Sequence, residues 1–180
     1  MTEIITAPDE LRKPASQAAP IDAGVKIGHV HLKVADLDRA LDFYTGVLGF
    51  ELTQRVPGAA FMSAGGYHHH IALNTWESLG AVPPPPGTTG LYHLAILYPT
   101  RALLADALRR LMAAGIPLEG ASDHGVSEAL YLRDPDDNGI ELYWDRPKEK
   151  WPRAPDGSLA MVTRRLDLQN LLGELDKSPA

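Results

Sequence analysis

The sequence has 180 residues, of which 44% are hydrophobic and 22% are charged, and its formal net charge is -6. This length and composition predict one globular domain with a full core and exclude two large domains. The acidic balance excludes the basic surface that nucleic acids attract, so we expect no nucleic-acid partner. Because the chain has no cysteine, any metal ion must be held by nitrogen and oxygen ligands.

The N-terminal residues 1–24 are rich in alanine, proline and charge without periodicity, which predicts a flexible arm. This stretch lacks the apolar core of a secretory signal, and no later segment approaches the roughly 20 apolar residues that span a bilayer. We therefore expect a cytoplasmic protein that does not associate with membranes.

A first module begins at about residue 25. Apolar and polar residues alternate over 27–36, which predicts a half-buried strand. Asp36 is placed to cap a helix whose apolar residues recur at helical spacing, and Gly49 to end it. Pro-Gly and Gly-Gly signals then separate three predicted short strands, near 50–56, 59–64 and 67–75.

The same order of elements recurs in the second half. A strand is predicted over 90–97 and a helix from Thr100 to Gly115, and the sequence then indicates three strands, near 118–122, 128–133 and 139–144, the last pair joined by a turn over 134–139. His29 and His93 are 64 positions apart, as are the two helix caps. This spacing predicts an internal duplication into modules 25–76 and 90–146.

Two segments lie outside these modules. Residues 77–89 contain a run of four prolines, which predicts a stiff connector between the modules. Residues 147–180 are predicted to form a C-terminal tail with a short amphipathic helix within 166–175, which docks on the domain or on a partner.

Three metal-competent residues fall on polar faces of predicted strands. His29 and His93 begin equivalent strands of the duplication, and Glu141 alternates with the apolar residues on either side of it. Two imidazoles and one carboxylate leave coordination positions open for a substrate and dioxygen, as in non-haem iron(II) oxygenases. We therefore predict that His29, His93 and Glu141 hold one metal ion.

Four segments carry a family resemblance: IGHVHLKVADLDRALDFYTGVLGFEL, GYHHHIALNTW, GLYHLAIL and ALYLRDPDDNGIELYWDRP. They resemble the vicinal-oxygen-chelate superfamily, which includes glyoxalases, bleomycin resistance proteins and extradiol dioxygenases, and within it single-domain catechol 2,3-dioxygenase-like enzymes. The resemblance implies an α+β fold over residues 25–146, in which tandem βαβββ modules form a U-shaped mixed sheet around a metal. It implies His29, His93 and Glu141 as ligands of Fe(II); Mn(II) suits the same ligands.

The resemblance also implies roles for three further residues. The family's acid-base histidine falls on His69, and its substrate-side residues fall on His124 and Tyr131. A histidine can accept and return protons at neutral pH, and a tyrosine hydroxyl can hydrogen-bond a catecholate oxygen. If 67–75 is one strand, His68 and His70 lie on its face opposite to His69. No role is assigned to them or to His31.

The function that follows from this resemblance is extradiol ring cleavage of a catechol with dioxygen, by a chain that could form a homo-oligomer. A glyoxalase-I-like isomerase is the first alternative, but its fourth ligand would fall on Ile71 or Leu73, which cannot bind a metal. A non-catalytic protein that binds a small molecule such as an antibiotic is the second, although it would have no use for the three ligands.

Overall fold

The structure is a computed structural model that describes residues 19–177. Most of the predicted N-terminal arm, residues 1–18, lies outside the described residues, and 19–29 contain no helix or strand. The first module comprises β1 (Val30–Lys33), α1 (Leu37–Leu41) with its continuation as a π-helix (Asp42–Val47), β2 (Glu51–Val56), β3 (Ala59–Ser63) and β4 (Ile71–Asn74).

The second module repeats this order. It comprises β5 (Leu94–Leu97), α2 (Arg101–Ala113), β6 (Gly120–Asp123), β7 (Ser127–Arg133) and β8 (Gly139–Asp145). The tail follows with a 3-10 helix (Lys148–Lys150), β9 (Arg164–Arg165) and α3 (Leu168–Leu172). Within residues 19–177, no helix combines the length and apolar character needed to cross a membrane.

The strands divide into two sheets of matching topology. The first has the order β1-β4-β3-β2 and the second the order β5-β8-β7-β6-β9. In each, the strand before the helix pairs in parallel with the last strand of its module, and the remaining pairs are antiparallel. The predicted duplication and the α+β class are confirmed. Because β1 and β5 are both edge strands, the start of each lies at a sheet margin.

The helix caps fall where the sequence predicts them. The Asp36 carboxylate accepts hydrogen bonds from the N–H groups of Asp38 and Arg39, and the Thr100 hydroxyl accepts one from Leu103. Each cap satisfies donors that the first turn of a helix leaves open, which is worth about 1 kcal/mol. The first helix ends before Gly49, whose φ of 86° suits glycine.

One hydrophobic core unites the two modules. Leu104, Leu108 and Leu111 of α2 are at most 1% exposed and belong to the same cluster as residues of α1 and of both sheets. Such burial is worth about 1.5–3 kcal/mol for each large apolar side chain. The helices thus face a shared interior, which leaves the polar faces of the sheets outside it.

The turn over 134–139 also joins the modules. The Tyr44 hydroxyl, buried in the first module, donates a 2.9 Å hydrogen bond to Asp134. Asp136 accepts from the Ala35 N–H at 3.1 Å and pairs with the Arg39 guanidinium. A segment predicted only as a turn between two strands is therefore also the polar contact that holds α1.

Three elements differ from the prediction. Strand β5 begins at Leu94 rather than at residue 90, so His93 directly precedes its strand, as His29 directly precedes β1. The last strand of the first module begins at Ile71 rather than near residue 67, because the chain first turns at Gly65 and Gly66, which both have positive φ. His69 therefore precedes the strand. The tail contributes an unpredicted strand, β9, beside the short helix that was predicted.

Candidate active site

A cavity of about 390 Å³ opens on the second module, over the polar face of its sheet. Its walls come from the two residues before β5, from strands β6 to β8 and the residues beside them, and from the tail. They include Tyr92, His93, Glu119, His124, Tyr131, Arg133 and Thr163. Of the six residues predicted to carry chemistry, three line this cavity, and a fourth, Glu141, contacts two of them.

His93 and Glu141 lie side by side at this cavity. The Nε2 atom of His93 is 2.9 Å from Oε2 of Glu141, with the side chains 31% and 14% exposed. Gly139 makes this approach possible, because a Cβ at that position would overlap the Tyr92 carbonyl oxygen and lie 3.1 Å from the Cα and Cβ atoms of His93. Because Gly139 has no side chain, β8 can pack closely against His93.

This pair fits a divalent metal ion. Two donors that occupy adjacent positions at about 2.0–2.2 Å from one ion are separated by about 3 Å. The observed separation agrees with that value. The donor set of an imidazole nitrogen and a carboxylate oxygen suits iron, manganese or zinc. The Nδ1 atom of His93 is buried and has no hydrogen-bond partner among residues 19–177.

Tyr131 and His124 extend the pair into a chain of polar contacts. Tyr131 and Glu141 are cross-strand partners, and the tyrosine hydroxyl lies 3.1 Å from Oε1 of Glu141. The same hydroxyl lies 2.8 Å from Nε2 of His124. Burial, with the charge of Glu141 as a further cause, raises the pKa of Tyr131 to about 12. The tyrosine is therefore a protonated hydrogen-bond donor at neutral pH.

His29 and His69 form a separate pair on the first module. Their ring centroids are 4.4 Å apart, and the His69 ring also packs edge-on against Phe61 at 5.2 Å. Desolvation, followed by the neighbouring imidazole of His29, lowers the pKa of His69. His69 is therefore neutral at neutral pH and can accept a proton.

The other histidines of this module form polar contacts with nearby residues of the same module. His31 Nε2 lies 2.9 Å from the Asn74 amide nitrogen, and His70 Nδ1 lies 3.1 Å from the Ser63 hydroxyl. His68 Nδ1 lies 2.8 Å from Nδ1 of His69. His68 thus touches His69 rather than facing away from it, because both residues lie in the turn before β4.

The predicted metal ligands do not all converge. In the part of the chain that the structure describes, no three His, Asp or Glu side chains stand close enough to hold one ion. The structure brings together His93 and Glu141, with Tyr131 and His124 beside them. It leaves His29 with His69, so that the predicted site is divided into two half-sites, one on each module.

Two contributors to the site were missed from the sequence. The Val162 carbonyl oxygen lies 3.0 Å from Nδ1 of His124, and the Thr163 hydroxyl lies 3.3 Å from the same atom. Both belong to the tail. The sequence around Leu159, Met161 and Thr163 gives no usable signal. The strand that follows them, β9, has only two residues and is too short to show an apolar-polar periodicity.

The family was identified by comparison of the sequence with known proteins. Residues 26–142 match the family described as the glyoxalase/bleomycin resistance protein/dioxygenase superfamily. The chain belongs to this superfamily. The match covers every strand and helix of both modules apart from the last residues of β8, which confirms the resemblance seen in the sequence.

The superfamily relatives include dioxygenases. A catechol-2,3-dioxygenase of Bacillus subtilis is 44% identical over 148 residues, which are 82% of this chain and 51% of that protein. A biphenyl-2,3-diol 1,2-dioxygenase of Rhodococcus globerulus is 33% identical over 67% of this chain and 63% of its own length. The chain thus spans between about half and two thirds of these relatives.

Solved structures of the superfamily share the fold. A glyoxalase/dioxygenase from Nostoc punctiforme superposes with a TM-score of 0.58 at 22% identity, over 72% of this chain and 99% of that one. A lactoylglutathione lyase from Agrobacterium tumefaciens has a TM-score of 0.54 at 24% identity, over 68% of this chain and 96% of that one. At these identities the likeness concerns the fold alone.

Proposed function

We propose that the chain cleaves the ring of a catechol with dioxygen in the extradiol position, using Fe(II) held by His29, His93 and Glu141. The observation that carries the proposal is the continuous chain of contacts from His93 through Glu141 and Tyr131 to His124 at one cavity. The chain begins with two groups that can bind a metal ion and ends with two that can hold or move a proton. A diol chelated to the ion requires both kinds of group beside its oxygens. The catechol and diol substrates named for the relatives point to the same chemistry.

The chemistry that iron(II) supplies when bound is chelation of both catechol oxygens and transfer of electrons to dioxygen. Glu141 would contribute the one negative charge of the ligand set, which offsets part of the charge of the ion. His93 would bind through Nε2, the atom that already faces Glu141. Mn(II) suits the same donors and is an alternative occupant.

Tyr131 and His124 would act on the substrate oxygens. With its pKa raised to about 12, Tyr131 keeps its proton and can donate a hydrogen bond to an oxygen that carries negative charge. His124 lies 2.8 Å from that hydroxyl and can exchange a proton with the substrate. The two side chains therefore hold the diol in the monoanionic form that chelation favours.

His69 would be the acid-base residue. The burial and neighbouring imidazoles that lower its pKa keep it neutral, so it can take up a proton from the reacting oxygen and return it. Because its ring lies 4.4 Å from that of His29, it would enter the site together with this third ligand.

The third ligand sets a requirement for assembly. His29 and the His93–Glu141 pair must lie close enough to bind the same ion. Both half-sites lie at sheet margins, beside the edge strands β1 and β5. The residues around β5 include exposed apolar side chains, with Tyr92 82% and Leu91 55% exposed. We propose a homo-oligomer in which contact across these margins brings the half-sites together. In a two-fold dimer, each copy would give His29 to the other and form two equal sites.

Neither alternative function gains support from the site. The positions at which a glyoxalase-type fourth ligand would fall, Ile71 and Leu73, are 1% and 0% exposed and belong to the hydrophobic core. A protein that only sequesters a ligand would not need the partly buried carboxylate of Glu141 beside an imidazole, an arrangement that costs desolvation energy unless a cation or proton balances it.

The test is anaerobic reconstitution with Fe(II), followed by catechol and air, with the yellow ring-cleaved product measured by absorbance. Activity that is lost in His93→Ala and Glu141→Ala supports the proposal. Glu119→Gln is the matched control, because Glu119 lines the same cavity but pairs with Arg133 at 2.9 Å. Metal bound without product from several catechols would refute ring cleavage.

Mixing two inactive variants tests the assembly. If His29 and Glu141 of one site come from different copies, His29→Ala mixed with Glu141→Ala in equal amounts regains about one quarter of the wild-type activity, since half of the dimers then contain one intact site out of two. If both come from one copy, the mixture stays inactive. Light scattering on the same samples gives the mass of the assembly.

A further inference from the structure

The tail lies beyond the residues that the family description matches, yet it forms part of the cavity wall. Strand β9 pairs antiparallel with β6, with Asp123 opposite Arg164. On either side of this pair the Val162 N–H donates to the His124 carbonyl at 3.1 Å, and the Leu166 N–H donates to the Ala121 carbonyl at 3.2 Å. Residues 162–166 therefore run along β6 as a fifth strand that ends beside His124.

This segment also holds the side chain of His124. The Nδ1 atom lies 3.0 Å from the Val162 carbonyl oxygen, and the Thr163 hydroxyl lies 3.3 Å from the same nitrogen. A carbonyl oxygen can only accept a hydrogen bond, so Nδ1 must carry a hydrogen. The opposite tautomer would place the lone pair of Nδ1 against that of the Val162 carbonyl oxygen at 3.0 Å, and only the more distant Thr163 hydroxyl could then donate to Nδ1.

The tautomer fixes the hydrogen bond at the other end of the ring. A neutral imidazole with hydrogen on Nδ1 has its lone pair on Nε2, which lies 2.8 Å from the Tyr131 hydroxyl. The Tyr131 hydroxyl has one hydrogen, and it can donate this hydrogen to Oε1 of Glu141 at 3.1 Å or to Nε2 of His124 at 2.8 Å, so the two acceptors compete for it. With hydrogen on Nε2 instead, His124 would be a donor to Tyr131 and could accept nothing from the cavity.

We infer that residues 162–163 are positioning residues of the active site, which hold His124 in its Nδ1–H tautomer so that Nε2 faces Tyr131 and the cavity as a proton acceptor. The catalytic consequence rests on the proposed function: the acceptor nitrogen would take the proton of a diol hydroxyl. The contact is made by a backbone carbonyl, so it does not depend on which residue occupies position 162.

The direct test is the tautomer itself. Long-range ¹H–¹⁵N correlation spectra of the full chain with labelled histidine, at a pH where imidazoles are neutral, distinguish the two ring nitrogens. The spectra are recorded metal-free and with diamagnetic Zn(II), and the His124→Gln variant assigns the signal. The expected result is hydrogen on Nδ1 of His124. Hydrogen on Nε2, or an average of the two tautomers, would overturn the inference.

A backbone change tests the cause. Replacing Thr163 by the matching α-hydroxy acid turns the Val162–Thr163 amide into an ester, which weakens the Val162 carbonyl as an acceptor. The Thr163 N–H that is lost makes no hydrogen bond within the described residues. We expect the His124 signal to shift toward the average of both tautomers, while the other histidine signals stay in place. An unchanged His124 signal would contradict the inference.

Kinetic measurements then distinguish a role of residues 162–163 in orienting His124 from a role in stabilising the fold. Removing a group that orients a working side chain costs about 10–100-fold. We expect the ester to lower kcat by about that factor, with metal content and the melting temperature unchanged, and the hydroxyl-free Thr163→Ala to lower it less, with rescue by Thr163→Ser. Met161→Ala, an exposed change in the same segment, is the matched control and keeps full activity.

The outcomes distinguish this inference from the proposed function. If the wild-type chain cleaves no catechol but shows the Nδ1–H tautomer that the ester disturbs, the proposed function fails and the positioning role stands. If ring cleavage is present but the ester changes neither the tautomer nor kcat, the positioning role fails and the proposed function stands.

Discussion

His93 and Glu141 face each other across two parallel strands, with Nε2 of the histidine 2.9 Å from Oε2 of the glutamate. The register explains the meeting. Leu94 pairs with Ile140, so the two polar residues lie one position before and one position after this pair, on the opposite face of the sheet. The hydrophobic core that fixes the register therefore also fixes the distance between two proposed ligands.

Glu141→Gln tests this pair as a metal site. The amide keeps the shape of the side chain but removes its charge. We expect the affinity for Mn(II), measured by electron paramagnetic resonance, to fall by more than about 100-fold, since changing a group that only supports a ligand already costs about 10–100-fold. Glu119→Gln, in the wall of the same cavity, is expected to bind Mn(II) like the wild type. Equal affinities of the two variants would exclude Glu141 as a ligand.

Gly139→Ala tests how closely the strands must approach. The added methyl would overlap the Tyr92 carbonyl oxygen, so β5 must move and carry His93 with it. Strain of this kind in a packed site costs about 1–3 kcal/mol. We expect lower stability in urea denaturation together with weaker Mn(II) binding.

Gly120→Ala is the control for this change. A methyl at Gly120 would lie 3.9 Å from the Tyr131 ring, which is ordinary contact, so stability and metal affinity should stay near the wild-type values. If Gly139→Ala bound metal as well as the control does, the close approach would not be what positions His93.

The duplicated fold could be predicted from the sequence because its signals are local. The caps at Asp36 and Thr100 and the alternation of Glu141 with its apolar neighbours in β8 depend on nearby residues, and they fall where they were expected. Strand β4 starts later than predicted because two glycines with positive φ set the path of the chain before it. Backbone dihedrals of this kind are not visible in an apolar-polar pattern.

The site could be predicted only in part for a different reason. The spacing of 64 positions relates His29 to His93, but it says nothing about how one module sits on the other. That arrangement depends on long-range contacts such as Tyr44 with Asp134, which are separated by 90 positions. The tail's contact with His124 depends likewise on a backbone carbonyl, and a carbonyl group has no signature in sequence.

Tyr44→Phe measures how much the hydrogen bond between the first module and the turn over 134–139 contributes to stability. Tyr44 is fully buried, and its hydroxyl donates to Asp134, a carboxylate that is 4% exposed. Losing a hydrogen bond to a buried charge costs about 1.5–3 kcal/mol. We expect urea denaturation to show that loss. Tyr98→Phe, whose hydroxyl makes no side-chain hydrogen bond in the described residues, should change stability by less than about 0.5 kcal/mol.

The raised pKa of Tyr44 predicts that the folded state loses stability at alkaline pH. Burial, followed by the charge of Asp134, raises the pKa of Tyr44 above its ordinary value of 10.0. The unfolded chain therefore releases this proton first, so the stabilisation is complete below pH 10 and declines as the pH rises above it. The slope for one such group is about 1.4 kcal/mol per pH unit. Tyr44→Phe should flatten the decline between pH 10 and 11, and an unchanged slope would contradict the assignment.

Glu128→Gln tests the ion pairs that attach the tail to the second module. Glu128 is 3% exposed and accepts hydrogen bonds from the guanidinium groups of Arg101 and Arg146, both at 2.7 Å. Arg101 also bonds Glu174 at 2.8 Å, beyond α3. The two arginines each keep a second carboxylate, since Arg101 bonds Glu174 and Arg146 bonds Asp123. Losing hydrogen bonds to a buried charge costs about 1.5–3 kcal/mol. We expect a loss of this size in urea denaturation, with faster hydrogen exchange over 168–172.

Asp106→Asn is the matched control, because it removes a carboxylate that also serves two arginines but at the surface. Arg109 and Arg110 are 56% and 47% exposed, and exposed pairs contribute about 0–1 kcal/mol. If both variants lost the same small amount of stability, burial of the Glu128 pair would not be what holds the tail. A large loss for Glu128→Gln alone would show that the segment that orients His124 is anchored from its far end as well.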